Sequence, residues 1–170
     1  MRRAAAFLVA ALVATPLVGC GGGDDDAEPR AGAVGKLDAE FLPEQVLGLS
    51  VDQEELPSGI GDVRASYLEA VSLYSMRRED QLQATLQVGR FRDTVDFDDG
   101  AFRRGLLTQI GSSRPQSVRL GDSTVYMTTG LEQRLAIWFS GRHMLILGTR
   151  QEFDRPRTLL REMLELEVQP

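Results

Sequence analysis

Between Gln81 and Val88 the chain alternates strictly. Leu82, Ala84, Leu86 and Val88 are apolar, while Gln81, Gln83, Thr85 and Gln87 are polar. A period of two marks a strand with one face turned to a core and the other to water. The stretch 67–77, rich in Leu, Val and Tyr, predicts a preceding strand, and Arg77-Arg78-Glu79-Asp80 a charged turn that joins the two as an antiparallel hairpin. The period then becomes helical. Phe102, Leu106, Leu107 and Ile110 fall on one stripe with Arg103, Arg104 and Gln109 off it, which predicts a helix over 100–110. Asp98 or Asp99 would cap its start and Gly111 its end. Strands at 117–120 and 124–129 flank Gly121-Asp122, and strands at 135–139 and 143–149 flank Ser140-Gly141-Arg142. The last two, Leu135-Ala136-Ile137-Trp138-Phe139 and Met144-Leu145-Ile146-Leu147, are apolar without alternation, as central strands covered on both faces are. Trp138 and Phe139 point to opposite faces and so form core, not a shared stacking platform. Asp154 predicts the N-cap of a helix over 155–166 with Leu159, Leu160, Met163 and Leu164 on one side.

These elements predict an α+β domain: one antiparallel sheet of about six strands with two packed helices. Strand–turn–strand–helix occurs at 67–111 and again at 134–166, which could be a ββα pseudo-repeat. Ahead of the first strand, 37–62 carries seven acids (Asp38, Glu40, Glu44, Asp52, Glu54, Glu55, Asp62) and no base. It reads as a solvated lead with a short helical turn at 43–47, stopped by Gly48. Such an acidic lead could fold back over an arginine-bearing surface.

The amino terminus adds an address. Met1-Arg2-Arg3 is a short basic head, 4–14 is uncharged and largely apolar, and Thr15-Pro16 interrupts the run. This is the layout of a secretory signal, and the run is too short for a spanning helix, which needs ~20 apolar residues. Leu17-Val18-Gly19-Cys20 follows, and it resembles the lipobox of bacterial lipoproteins. The resemblance implies cleavage between Gly19 and Cys20 and diacylglycerol on the Cys20 thiol. Cys20, the one cysteine of the chain, is then an anchor. The implied organisation is a signal peptide at 1–19, a lipidated cysteine and flexible linker at 20–36, and a single domain at 37–170. The Gly-, Ala- and Asp-rich tether cannot bury enough surface to order itself. The implied location is the extracytoplasmic face of the cell membrane, held by the lipid on Cys20. The sheet-and-helix composition is similar to that of small Mog1/PsbP-like lipoprotein domains of actinobacteria, at the level of fold alone.

Net charge is −6, which disfavours binding to nucleic acid or to anionic lipid surfaces. Every base after Lys36 is arginine, as codon bias in a GC-rich genome produces; planar, bidentate recognition of carboxylate or phosphate is the sharper alternative. Candidate chemistry is sparse. His143, the only histidine, sits beside a hairpin turn with no nucleophile-elbow motif nearby. Asp93, Asp96, Asp98 and Asp99 form an acidic run before a helix, but without the spacing of a calcium loop. Gly59-Ile60-Gly61 lacks the continuation of a phosphate-cradling loop. The sequence therefore calls for no cofactor, no metal and no catalytic set. It predicts a non-enzymatic binding or interaction module with an envelope protein as partner. The alternative is a carrier of a small apolar or lipidic ligand, and a hydrolase based on the 93–99 acids ranks last. The glutamine face of 81–88 is a candidate docking surface.

Overall fold

The computed structural model describes residues 35–37, 41–56, 67–96, 98–111, 113–130 and 132–166. The signal, the Gly19 and Cys20 lipobox, the tether up to 34 and Gly59-Ile60-Gly61 lie outside the described residues. In chain order the elements are β1 (Gly35–Lys36), β2 (Gln45–Val46), β3 (Leu49–Glu54), β4 (Leu68–Arg78), β5 (Gln81–Phe91), α1 (Gly100–Ile110), β6 (Gln116–Leu120), β7 (Ser123–Thr129), β8 (Gln133–Ser140), β9 (His143–Arg150) and α2 (Pro156–Glu165). They form one nine-stranded sheet in the order β2-β3-β4-β5-β9-β8-β7-β6, with β1 paired to β4. All pairings are antiparallel except that of β1 with β4.

The expected six strands are thus nine; of the three extra ones, β2 and β3 lie in the acidic lead and β1 in the segment just before it. No helical turn forms at 43–47. Gln45–Val46 pairs back onto Leu49–Ser50 across Leu47 and Gly48, both with positive φ. That geometry is a tight two-residue hairpin turn, which Gly48 makes accessible. It lets Val46 and Leu49 both reach the core. β1 takes the last two residues assigned to the linker. It is held where Leu37 N–H donates to Ser72 Oγ at 3.0 Å and Ser72 Oγ–H donates to Leu37 O at 2.6 Å. The lead also meets arginines as expected, through Arg77–Glu54 at 3.1 Å and Arg155 Nη2 to Leu47 O at 3.3 Å.

The strands alternate between two cores, one on each face of the sheet. On one face α2 sets Leu159, Leu160 and Met163 against Ala84, Leu86, Val88, Ala136, Trp138, Leu145 and Leu147. On the other, α1 sets Leu106, Leu107 and Ile110 against Leu68, Phe91, Leu135, Ile137, Met144 and Ile146. Trp138 and Phe139 separate onto these two faces, as neighbouring strand residues must. The apolar runs of β8 and β9 make sense as strands dry on both sides.

The strand order is symmetric about the β5–β9 boundary, and each half ends in a helix. A rotation that exchanges antiparallel β5 and β9 runs perpendicular to the sheet and would place both helices on one face. They pack on opposite faces, so the ββα likeness stops at strand order.

Of the two expected N-caps, the first forms and the second does not. Asp99 is the N-cap of α1, and its Oδ1 accepts from Ala101 N–H at 2.8 Å. Asp154 is not the N-cap of α2. Arg155 holds that place, Pro156 opens the helix, and no side chain caps the first turn. Proline needs no N–H partner there and its fixed φ already suits a helix, so the start is set without a cap. Gly111 does end α1, but in extended backbone with φ −114°. Its glycine serves close approach, because a Cβ there would lie 2.3 Å from Thr128 Oγ1.

Candidate functional site

The 93–99 acids do not converge. Asp93 pairs with Arg142, Asp98 with Arg103 at 2.7 Å, and Asp99 is spent on its cap. Asp96 accepts from Asp98 N–H at 3.2 Å, closing a local turn. Among the described residues no three His, Cys, Asp or Glu side chains are placed to hold a metal ion. Arg103 lies over the Phe139 ring, 5.1 Å from its centroid. Asp98, Arg103, Asp122, Tyr126 and Phe139 line an open polar groove of about 450 Å³, within which Asp98 and Arg103 pair with each other.

His143 is 3% exposed, and its Nδ1 makes no hydrogen bond among the described residues. Burial, reinforced by the Arg90 guanidinium opposite it, holds the imidazole pKa below the usual value. Around it Arg90 pairs with Glu69, and Arg142 approaches the same carboxylate at 3.9 Å. A neutral, enclosed imidazole walled by guanidinium groups is a packed strand-end residue. Along the glutamine face, Gln81 is exposed, Gln83 and Thr85 are half-buried and Gln87 is buried. β5 is a central strand, Gln87 is only 8% exposed, and Thr85 packs close over Gly148.

A mainly apolar site with room for a ligand lies on the α2 face, and it was not among the residues singled out from sequence. Register builds its floor. Met127 on β7 stands opposite Ala136 on β8, which stands opposite Leu147 on β9. Ala136, the smallest of the three, leaves a dip between its neighbours. The next row, Arg134 opposite Thr149, forms one side. The first turn of α2 closes over the top with Pro156, Arg157 and Leu160. The result is a cleft of about 310 Å³ with a mainly apolar lining. That volume falls at the low end of small-molecule pockets, which run roughly 300–1,000 Å³. Thr149 Oγ1 is turned to the Arg134 carbonyl at 3.5 Å, so the polar groups left to the cleft are the two guanidinium groups. Both arginines are exposed, and neither side chain has an ion-pair or hydrogen-bond partner among the described residues. No carboxylate lines the cleft.

The signal for this site was present in the alternation. Ala136 and Leu147 lie on the face opposite Leu135 and Ile146, and Arg157 and Leu160 are one helical turn apart. What the sequence withheld was that β7, β8 and β9 are adjacent and in the register that aligns Met127, Ala136 and Leu147.

Comparison of the chain with known protein families, with curated proteins and with solved structures finds no match. No helix among the described residues is long and apolar enough to cross a membrane.

Proposed function

We propose that this chain is a lipid-anchored binding protein of the cell envelope, which holds a small apolar or lipidic molecule in the cleft under α2 and works by binding, not catalysis. The observation that carries this reading is the cleft itself: an apolar floor of Met127, Ala136 and Leu147, covered by Leu160. The anchor rests on Leu17-Val18-Gly19-Cys20, with the acyl chains on Cys20 supplying the two-chain attachment that stable membrane binding needs. The cleft then works on the extracytoplasmic side, within reach of membrane-derived molecules.

The anchor is tested by feeding cells an alkyne-tagged palmitate analogue and fractionating them. The wild-type chain is expected to carry label and to sediment with membranes, and Cys20→Ser to lose both. Label that persists in Cys20→Ser would remove the anchor from the account.

A second reading, an envelope protein as partner, has its own support. β6 is an edge strand whose residues other than Leu120 are exposed, and Val118, at 42%, is the one exposed large hydrophobic among the described residues. An open edge accepts a strand from another chain. Crosslinking in intact envelopes through a photoreactive residue at Val118 separates this reading from the first.

A further inference from the structure

We infer that the molecule held under α2 is a single-chain amphiphile with an anionic head, its tail on the Met127–Ala136–Leu147 floor and its head between Arg134 and Arg157. The inference rests on the cleft-binding reading above and names the ligand class. Three observations point the same way.

The first is size. At about 310 Å³ the cleft has room for one hydrocarbon chain, not two. The second is charge. In a chain of net charge −6, the two ionised groups on this cleft are both cations. Both lack partners among the described residues, unlike Arg77, Arg90, Arg103 and Arg142, each of which pairs with a carboxylate. A guanidinium is a planar fork that binds carboxylate or phosphate through paired N–H donors. The third is the helix end. The first turn of α2 lines the cleft, and no side chain caps it. Its free N–H groups and the positive end of the helix dipole add to the attraction for an anion. A neutral apolar ligand would leave the arginines and the helix end unused, and a cationic amphiphile would be repelled by both.

Carboxylate and phosphate heads share this chemistry, and separate arms of the test tell them apart. The sole tryptophan, Trp138, lies on the same face two residues from Ala136 and is buried there, so its fluorescence reports on the cleft. The full chain carrying Cys20→Ala, made for export, is titrated with dodecanoate, dodecyl phosphate and dodecyltrimethylammonium, each below its micelle concentration. One or both anions are expected to bind saturably, at least about tenfold tighter than the cation, and the tighter anion identifies the head. Arg134→Gln with Arg157→Gln, both exposed and unpaired, is expected to erase that preference while leaving the fold intact by circular dichroism. Ala136→Leu, which fills the dip, is expected to abolish saturable binding of every probe. Equal binding of all three probes, blocked by Ala136→Leu, would overturn the anionic head and leave the cleft reading standing. Binding of none of them to the folded chain would overturn both.

Discussion

Gly111→Ala puts two opposing effects of known size into competition. Gly111 has φ −114°, a conformation alanine adopts freely. From the backbone alone the substitution should stabilise the protein by ~0.4–1 kcal/mol, through lost freedom in the unfolded chain. The packing argues the other way. The new methyl would lie 2.3 Å from Thr128 Oγ1, 2.6 Å from Cγ2 and 3.0 Å from Cβ. Thr128 cannot easily yield, because it is buried and its hydroxyl donates to Ser113 O at 2.8 Å. Overpacking of this kind costs ~1–3 kcal/mol, and breaking the Thr128–Ser113 bond adds ~1 kcal/mol. The net expectation is a loss of ~1–3 kcal/mol, with packing outweighing backbone entropy. Urea denaturation at constant m-value measures it. Gly105→Ala is the internal control. Gly105 is exposed on α1 with nothing within 4 Å of a Cβ, so the same change there should stabilise by ~0.5–1 kcal/mol. In a Thr128→Ala background the cost of Gly111→Ala should fall below ~1 kcal/mol, since two of the three close contacts are gone. If Gly111→Ala matches Gly105→Ala in sign, the close approach of the α1 terminus to β7 is wrong.

Asp99→Ala should cost ~1 kcal/mol by removing the cap on Ala101 N–H, whereas Asp154→Ala should stay within ~0.5 kcal/mol; chemical denaturation of both variants compares the two helix starts directly. His143 gives a pH prediction. Its folded pKa is depressed by burial and the Arg90 charge, so the folded state takes up its proton less readily than the unfolded chain. The stability that neutral His143 contributes is complete above the unfolded value near 6.5 and falls as pH drops below it. His143→Gln should flatten the melting temperature across that acidic window, and an unchanged slope would show that other groups set it.

The helices and the central and C-terminal strands were legible because their patterns are strong. The stripe Phe102, Leu106, Leu107, Ile110 and the strict alternation of 81–88 admit few other structures. The acidic lead hid two strands for a physical reason. β3 uses Leu49 and Val51 on its inward face, while Ser50, Asp52 and Glu54 occupy the other. On a short strand near the sheet edge, charge is a protective feature, and from sequence alone it reads as solvation. The acids at 93–99 and the lone histidine drew notice for their residue types, yet their roles are capping, pairing and packing. The cleft drew none, because its residues are ordinary and only the order β9-β8-β7 brings them into one row.

The measurement closest to the central claim is native mass spectrometry of the full chain purified from its own envelope. The account predicts a mass above that of the chain with its anchor, by one single-chain anionic amphiphile. That excess should leave on denaturation and be missing from Ala136→Leu. The same mass before and after denaturation, matching the anchored chain alone, would contradict it.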